Sequence, residues 1–329
     1  MLYYLIRYLE RVFEPPGFQV VEYITVRASL AAITALLISL FIGRRIIRWL
    51  EEKQLGERVR EGESAGAVDH SHKSGTPSMG GLIILISVLV STFLWGAIGE
   101  VYVWLIMLAT AWMGAFGFAD DYIKVVKRDK SGLPARIKLT GQITLGLLVG
   151  SILYFHPQFS DIRTLTYLPF VADETLDYNV LRHFVTGIDL GWLIYIPVVV
   201  FILTALSNAV NLTDGLDGLA AGVTGIVALG LTALAYIAGN AIFADFLNEM
   251  LLPGAGELTI FSASLAASCF GFLWYNGYPA SVFMGDTGAL SLGAAVGTMA
   301  LMVKKELLLP LLCAIFFLET ISVIMQTSW

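Results

Sequence analysis

Long apolar runs alternate with short polar blocks along this chain, and each run approaches the roughly 20 residues that a helix needs to cross a bilayer. Runs near 21–43, 80–98, 101–118, 139–156, 191–208, 219–238, 258–275, 288–303 and 307–327 predict nine crossings. In hydrocarbon only helices and closed barrels satisfy every backbone polar group, and these runs are too long for barrel strands. The expected fold is therefore all-α: one polytopic integral membrane domain spanning residues 1–329. Residues 1–18 alternate greasy and charged positions around Pro15-Pro16 and lack a small-residue cleavage site, which predicts an interfacial helix rather than a signal peptide. Thr164 to Val171 is expected to form a short strand or hairpin.

Composition agrees with this pattern. The chain is 57% hydrophobic and only 14% charged, which sets it apart from ordinary soluble domains. Where the charges sit matters more than their net value of −6. Arg44, Arg45, Arg48, Lys53, Arg58, Arg60 and Lys73 lie between the first two crossings. Lys124, Lys127, Arg128, Lys130, Arg136 and Lys138 lie between the third and fourth. Basic loops stay in the cytoplasm, so the N-terminus is expected outside. Lys304 and Lys305 fall on the wrong side, as an exception in a short turn. Cys269 and Cys313 lie inside predicted crossings and offer no disulfide framework.

Three acidic, Gly-rich blocks fall at predicted cytoplasmic helix ends: Asp120-Asp121, the stretch Asn208 to Gly218, and Met284 to Gly288 around Asp286. Carboxylates are costly beside hydrocarbon, so their convergence points to a metal or a polar substrate. Two adjacent carboxylates at a negative helix end call for a cation. Asn208, Asn211, Asp214 and Asp217 recur every third residue, and Gly215 and Gly218 predict a tight loop that presents them together. All-oxygen sites with few carboxylates suit Mg²⁺, whereas His70 and His72 in a flexible loop give zinc little support. Lys73-Ser74-Gly75-Thr76 leads into the second crossing, where a cation and hydroxyls at a helix start suit a phosphate. Lys124 and Arg136 add positive charge nearby, although the bias toward basic cytoplasmic loops explains them as well.

Four blocks carry a family resemblance: KSGTPSMGG (73–81), GFADDYIKVVKRDKSGLPARIKL (117–139), NAVNLTDGLDGLA (208–220) and NGYPASVFMGDTGALSLG (276–293). From about residue 22 onward the chain resembles the phospho-N-acetylmuramoyl-pentapeptide transferases, within the polyprenyl-phosphate N-acetylhexosamine-1-phosphate transferases. The resemblance implies that UDP-N-acetylmuramoyl-pentapeptide and undecaprenyl phosphate give lipid I and UMP with Mg²⁺, and that the enzyme is a homodimer. It further implies Asp286 and Asp121 on the metal side and Asp120 toward the lipid phosphate. Asn211, Asp214, Asp217, Asn276 and Phe283 would contact the nucleotide-sugar. Lys73, Thr76, Lys124 and Arg136 would be phosphate or substrate contacts. The family continues with a His-cluster loop and a tenth helix, whereas this sequence ends at Trp329, and that role is given to none of its histidines. Two other readings remain: a sister transferase using UDP-N-acetylglucosamine, and an ion or solute transporter. Transporters place such groups near the midplane on broken helices, and no internal repeat is visible here.

Overall fold

A computed structural model describes residues 1–52, 76–127, 129, 131–169, 171, 175–179 and 189–328. Lys73, His70 and His72 lie outside the described residues. The helices are α1 (Leu2–Phe13), α2 (Ile24–Glu52), α3 (Gly81–Trp95), α4 (Val101–Val125), α5 (Ala135–Phe155), α6 (Trp192–Thr213), α7 (Leu219–Ala238), α8 (Ala241–Phe246), α9 (Leu258–Asn276), α10 (Gly285–Met302), α11 (Leu309–Leu312) and α12 (Ala314–Ser328). Between α5 and α6, the strands β1 (Leu165–Tyr167) and β2 (Thr175–Asp177) pair antiparallel; β1 falls within the stretch expected at 164–171, whereas its partner lies beyond it.

Among the described residues, six helical segments are long and apolar enough to span a membrane, and a seventh arises if the pair on either side of Cys313 counts as one. The chain is a mostly helical, multi-pass membrane protein. Two of the nine expected crossings fall short on these measures for different reasons. Helix α3 is apolar but has only 15 residues. Helix α10 is rich in Gly and Ala, and every residue from Thr287 to Met302 is buried. It runs through the bundle against α3, α4, α6 and α7. A helix enclosed by protein needs small side chains for close packing more than it needs lipid-facing bulk. The last crossing, expected as one run over 307–327, bends by 73° between its two helical pieces.

The end of the bundle away from the acidic blocks is held by buried charges. Arg27, early in α2, makes two hydrogen bonds to Glu257, at 2.7 and 2.5 Å, and Ala97 N–H donates to the same carboxylate at 2.9 Å. Lys304 and Lys305 are buried there too, which accounts for their apparent exception to the charge bias. Lys304 donates to the Arg163 carbonyl at 3.2 Å, and Lys305 pairs with Glu249. Burial pushes the Lys304 ammonium down to about 8, with Glu306 opposing the shift. Helix α1 exposes Leu5, Tyr8, Val12 and Phe13. Its terminal ammonium donates to the Phe93 and Leu94 carbonyls, at 2.5 and 3.1 Å, at the negative end of α3.

Candidate active site

The acidic site begins with one helix face. Gly117, Asp120 and Asp121 stand three and four positions apart on α4, so they line the same side. The start of α10 lies directly on that face: a Cβ on Gly117 would fall 2.2 Å from the Asp286 carbonyl oxygen. Any side chain at 117 would push Asp286 away from the pair one turn further along. The result is three carboxylates, Asp120, Asp121 and Asp286, with ligand oxygens all within 4.8 Å of one another.

Each carboxylate has its own partners. Asp121 is 3% exposed and holds the first turn of α10, accepting from Asp286 N–H at 3.1 Å, Thr287 N–H at 2.9 Å and the Thr287 hydroxyl at 2.5 Å. An anionic acceptor at a helix N-terminus satisfies donors that have no partner within the helix. Gly285 turns the chain into α10 with φ of 72°, and a Cβ there would lie 2.7 Å from Asp121 Oδ2. Asp120 is fully buried and accepts from Leu133 N–H at 2.7 Å. Lys124 Nζ lies 2.5 Å from Asp120 Oδ2 and 3.5 Å from Asp286 Oδ2. Lys138 Nζ lies 2.8 Å from Asp120 Oδ1 and 2.6 Å from Asp286 Oδ2. Two ammonium groups thus face three carboxylates, one positive charge short of balance. The expectation that the aspartate pair closes a helix ending near 118 is corrected: α4 continues to Val125 and carries the pair inside its last turns.

The block that leads into α3 meets the block that leads into α10 beside this centre, where Ser78 and Asp121 both lie against Gly285. Phe283 N–H donates to the Pro77 carbonyl at 2.9 Å, and Gly80 and Gly81 N–H donate to the Phe283 and Met284 carbonyls, both at 2.8 Å. The stretch that leads into α3 is therefore knitted to the stretch that leads into α10.

A family model described as glycosyl transferase family 4 matches residues 103–304, and a phospho-N-acetylmuramoyl-pentapeptide-transferase signature matches residues 73–85. Curated proteins of that name are similar along the whole chain. The one from Salinibacter ruber is 64% identical over 329 residues, which is all of this chain and 86% of the relative. Those from Chlorobium phaeobacteroides (strain BS1) and Chloroherpeton thalassium are each 50% identical over the whole chain and 85% of their own length. The chain belongs to the phospho-N-acetylmuramoyl-pentapeptide transferases. It is a multi-pass bacterial inner-membrane transferase of the peptidoglycan pathway, acting in the step that makes lipid I. The signature and the relatives favour this family over the sister transferases and over a transporter.

Among the residues that the transferase resemblance singled out, Asp120, Asp121, Asp286 and Lys124 come together. Asn276 instead ties two loops together. Its carboxamide oxygen accepts from Gly218 N–H at 3.0 Å, and its nitrogen donates to the Val282 carbonyl at 2.9 Å. Asp217 accepts from Ala280 N–H at 3.2 Å, a second tie between the same two loops. Asp214 caps the C-terminus of α6, Asn211 lies one turn before that cap, and Asn208 pairs with Gln142 of α5. Thr76 and Phe283 are half-buried where the 76–81 and 282–286 stretches meet, whereas Arg136 is exposed. Lys73 lies outside the described residues. Sequence reasoning missed Lys138 and Thr287. Lys138 had a signal: it stands three and four positions before the buried Gly141 and Gln142, on the inward stripe that continues to Leu145 and Val149.

Proposed function

We propose that the carboxylate cluster at the ends of α4 and α10 is the catalytic centre of the transferase, placed at the cytoplasmic face of about nine crossings with the N-terminus outside. The observation that carries this reading is the meeting of Asp120, Asp121 and Asp286 within 4.8 Å, bridged by Lys124 and Lys138. In the reaction a phosphate oxygen of undecaprenyl phosphate attacks the sugar-linked phosphorus of UDP-N-acetylmuramoyl-pentapeptide. The new phosphorus–oxygen bond makes lipid I, and the bond to the uridine-side phosphate breaks to release UMP. Because both reacting groups are phosphates, catalysis rests on alignment and charge neutralisation.

The donor set fits Mg²⁺: it is all oxygen, with one ligand oxygen from each of the three carboxylates within 4.8 Å of the others. Asp286 and Asp121 would hold the ion, which when bound supplies neutralisation of the diphosphate. Asp120 orients, or takes a proton from, the lipid phosphate. Lys124 presents charge to phosphate oxygens, as would Lys73 and the exposed Arg136, with Thr76 as a further substrate contact. Asn211, Asp214 and Asp217 face the nucleotide-sugar, with Asn276 fixing their loop and Phe283 stacking on the base. The polyprenyl tail has a place in an apolar groove of about 460 Å³ between α5 and α6, lined by Leu139, Ile143, Leu147, Pro197, Val200 and Phe201. Leu139 directly follows Lys138, so the groove begins beside the charged centre. The working unit is a homodimer.

The test is UMP release by purified enzyme in detergent with both substrates. Release should require Mg²⁺ and lipid phosphate, and Asp120→Asn, Asp121→Asn and Asp286→Asn should each lower kcat by about 100-fold or more. Near-normal turnover in all three variants would remove the cluster from the mechanism. Replacing the donor with UDP-N-acetylglucosamine should give no product.

A further inference from the structure

The most economical account of Lys138 is not a fixed phosphate contact. We propose that its ammonium is a resident counter-ion of the acidic cluster, one that a divalent cation must expel in order to bind. This rests on the reading of the cluster as a metal site.

Lys138 bridges the two helices that build that site, 2.8 Å from Asp120 Oδ1 and 2.6 Å from Asp286 Oδ2. These carboxylates are the ones whose oxygens converge. An ammonium within hydrogen-bond distance of two carboxylates supplies the neutralisation that an ion would otherwise supply. A divalent ion arriving beside it meets a like charge a few ångströms away in a poorly solvated pocket, where such repulsion is strong. One of the two cations must leave.

Lys124 has the more exposed side chain, 37% against 20%, but Lys138 is the ammonium that closely holds the metal-side Asp286. Lys124 is on α4, one turn after Asp120, and approaches Asp286 only to 3.5 Å. Lys138 belongs to the first turn of α5, and its side chain is 20% exposed, so a path to the rim exists. Its four-carbon stem lets the ammonium swing by several ångströms while the backbone stays still. Once expelled, it would sit at the mouth of the site, where the diphosphate of the donor enters. The same side chain would then stabilise the metal-free state and, after metal binding, receive the anionic substrate.

Two measurements test this without relying on activity. In the first, Mn²⁺ is titrated into purified protein and the free ion is followed by electron paramagnetic resonance. Lys138→Met and Lys138→Gln should bind Mn²⁺ about tenfold more tightly than the native protein, because the competing charge is gone. Lys138→Arg, which keeps the charge, should not gain affinity, and Asp286→Asn should lose binding. Should neither neutral variant be obtained folded, the second measurement uses the native chain. Amine labelling of Lys138, quantified by mass spectrometry, should accelerate several-fold on adding Mg²⁺. If Asp286→Asn abolishes binding while the neutral variants bind no more tightly, the counter-ion idea is overturned and the metal site stands. Labelling that is unchanged or slowed by Mg²⁺ overturns it as well. Native-like Mn²⁺ binding by Asp286→Asn would sink the metal reading itself, and the inference with it.

Discussion

The hydroxyl of Thr287 donates to Asp121 Oδ2 at 2.5 Å, so a side chain late in α4 fixes the first turn of α10. Asp286 belongs to that turn, and its distance from Asp120 depends on this contact. Replacing Thr287 with Val keeps the shape but leaves a buried carboxylate with one donor fewer, at a cost of about 1–3 kcal/mol. Thr287→Val should therefore lower thermal stability in detergent and depress kcat more than KM for the donor. Thr287→Ser should retain most of both. Equal kcat in the Val variant and the native enzyme would show that the clamp has no catalytic consequence.

Much of this arrangement is legible in the sequence because the chain is so apolar. In such a background Asp120, Asp121 and Asp286 stand out, and each falls at a predicted helix end. The crossings expected at 219–238 and 258–275 match α7 and α9 closely. Less legible were features set by neighbours rather than by local pattern. The α4 helix passes beyond its apolar run because Lys124 and Lys138 pair with Asp120 while the first turn of α10 donates to Asp121. The bend near Cys313 has no local signal, since Pro310 sits in a first turn where proline is tolerated. Lys138 was masked by the surplus of basic residues in its loop, and only the inward stripe of α5 separates it from the exposed Arg136.

Close backbone approach at Gly117 gives a second prediction. In Gly117→Ala the new methyl would fall 2.2 Å from a backbone oxygen of α10, so the helix itself must move. Overpacking of this kind costs about 1–3 kcal/mol, and a shift of about 1 Å in Asp286 is enough to lower kcat by about 100-fold. Gly114→Ala, one turn earlier, is the control. There the methyl would meet the Leu85 side chain at 2.7 Å, and that side chain can yield. Turnover by the two variants under saturating substrates decides the matter: similar losses would contradict a special role for Gly117.

The groove between α5 and α6 makes a prediction about the acceptor alone. Ile143 lines it and is 38% exposed, so Ile143→Trp would fill space without touching the charged centre. Each buried methylene of a lipid chain contributes about 0.8 kcal/mol to binding. Excluding only a few of them should raise KM for undecaprenyl phosphate by about tenfold or more. KM for the UDP-linked donor should not change, and a short-chain prenyl phosphate should be affected less than the full-length acceptor. An unchanged acceptor KM would place the tail elsewhere.

At the other end of α9, the buried pair of Arg27 and Glu257 should govern stability and leave the chemistry alone. Glu257 immediately precedes α9, whereas Asn276 closes it, and 19 residues of helix separate the pair from the site. At 1.5 Å per residue this is roughly 28 Å. Glu257→Gln leaves the Arg27 guanidinium, which also lies 4.3 Å from the centre of the Tyr3 ring, without its counter-charge, and leaves one carboxamide oxygen where Arg27 and Ala97 N–H shared two. Breaking one side of a buried pair costs about 3–5 kcal/mol, whereas replacing both members with apolar residues of similar size is often nearly neutral. The Glu257→Gln variant should melt well below the native protein, and Arg27→Met combined with Glu257→Met should recover most of that loss. Below the melting point of each variant, kcat should match the native value. A single variant that keeps its stability but loses turnover would mean that this distant pair communicates with the carboxylate cluster, contrary to a purely supporting role.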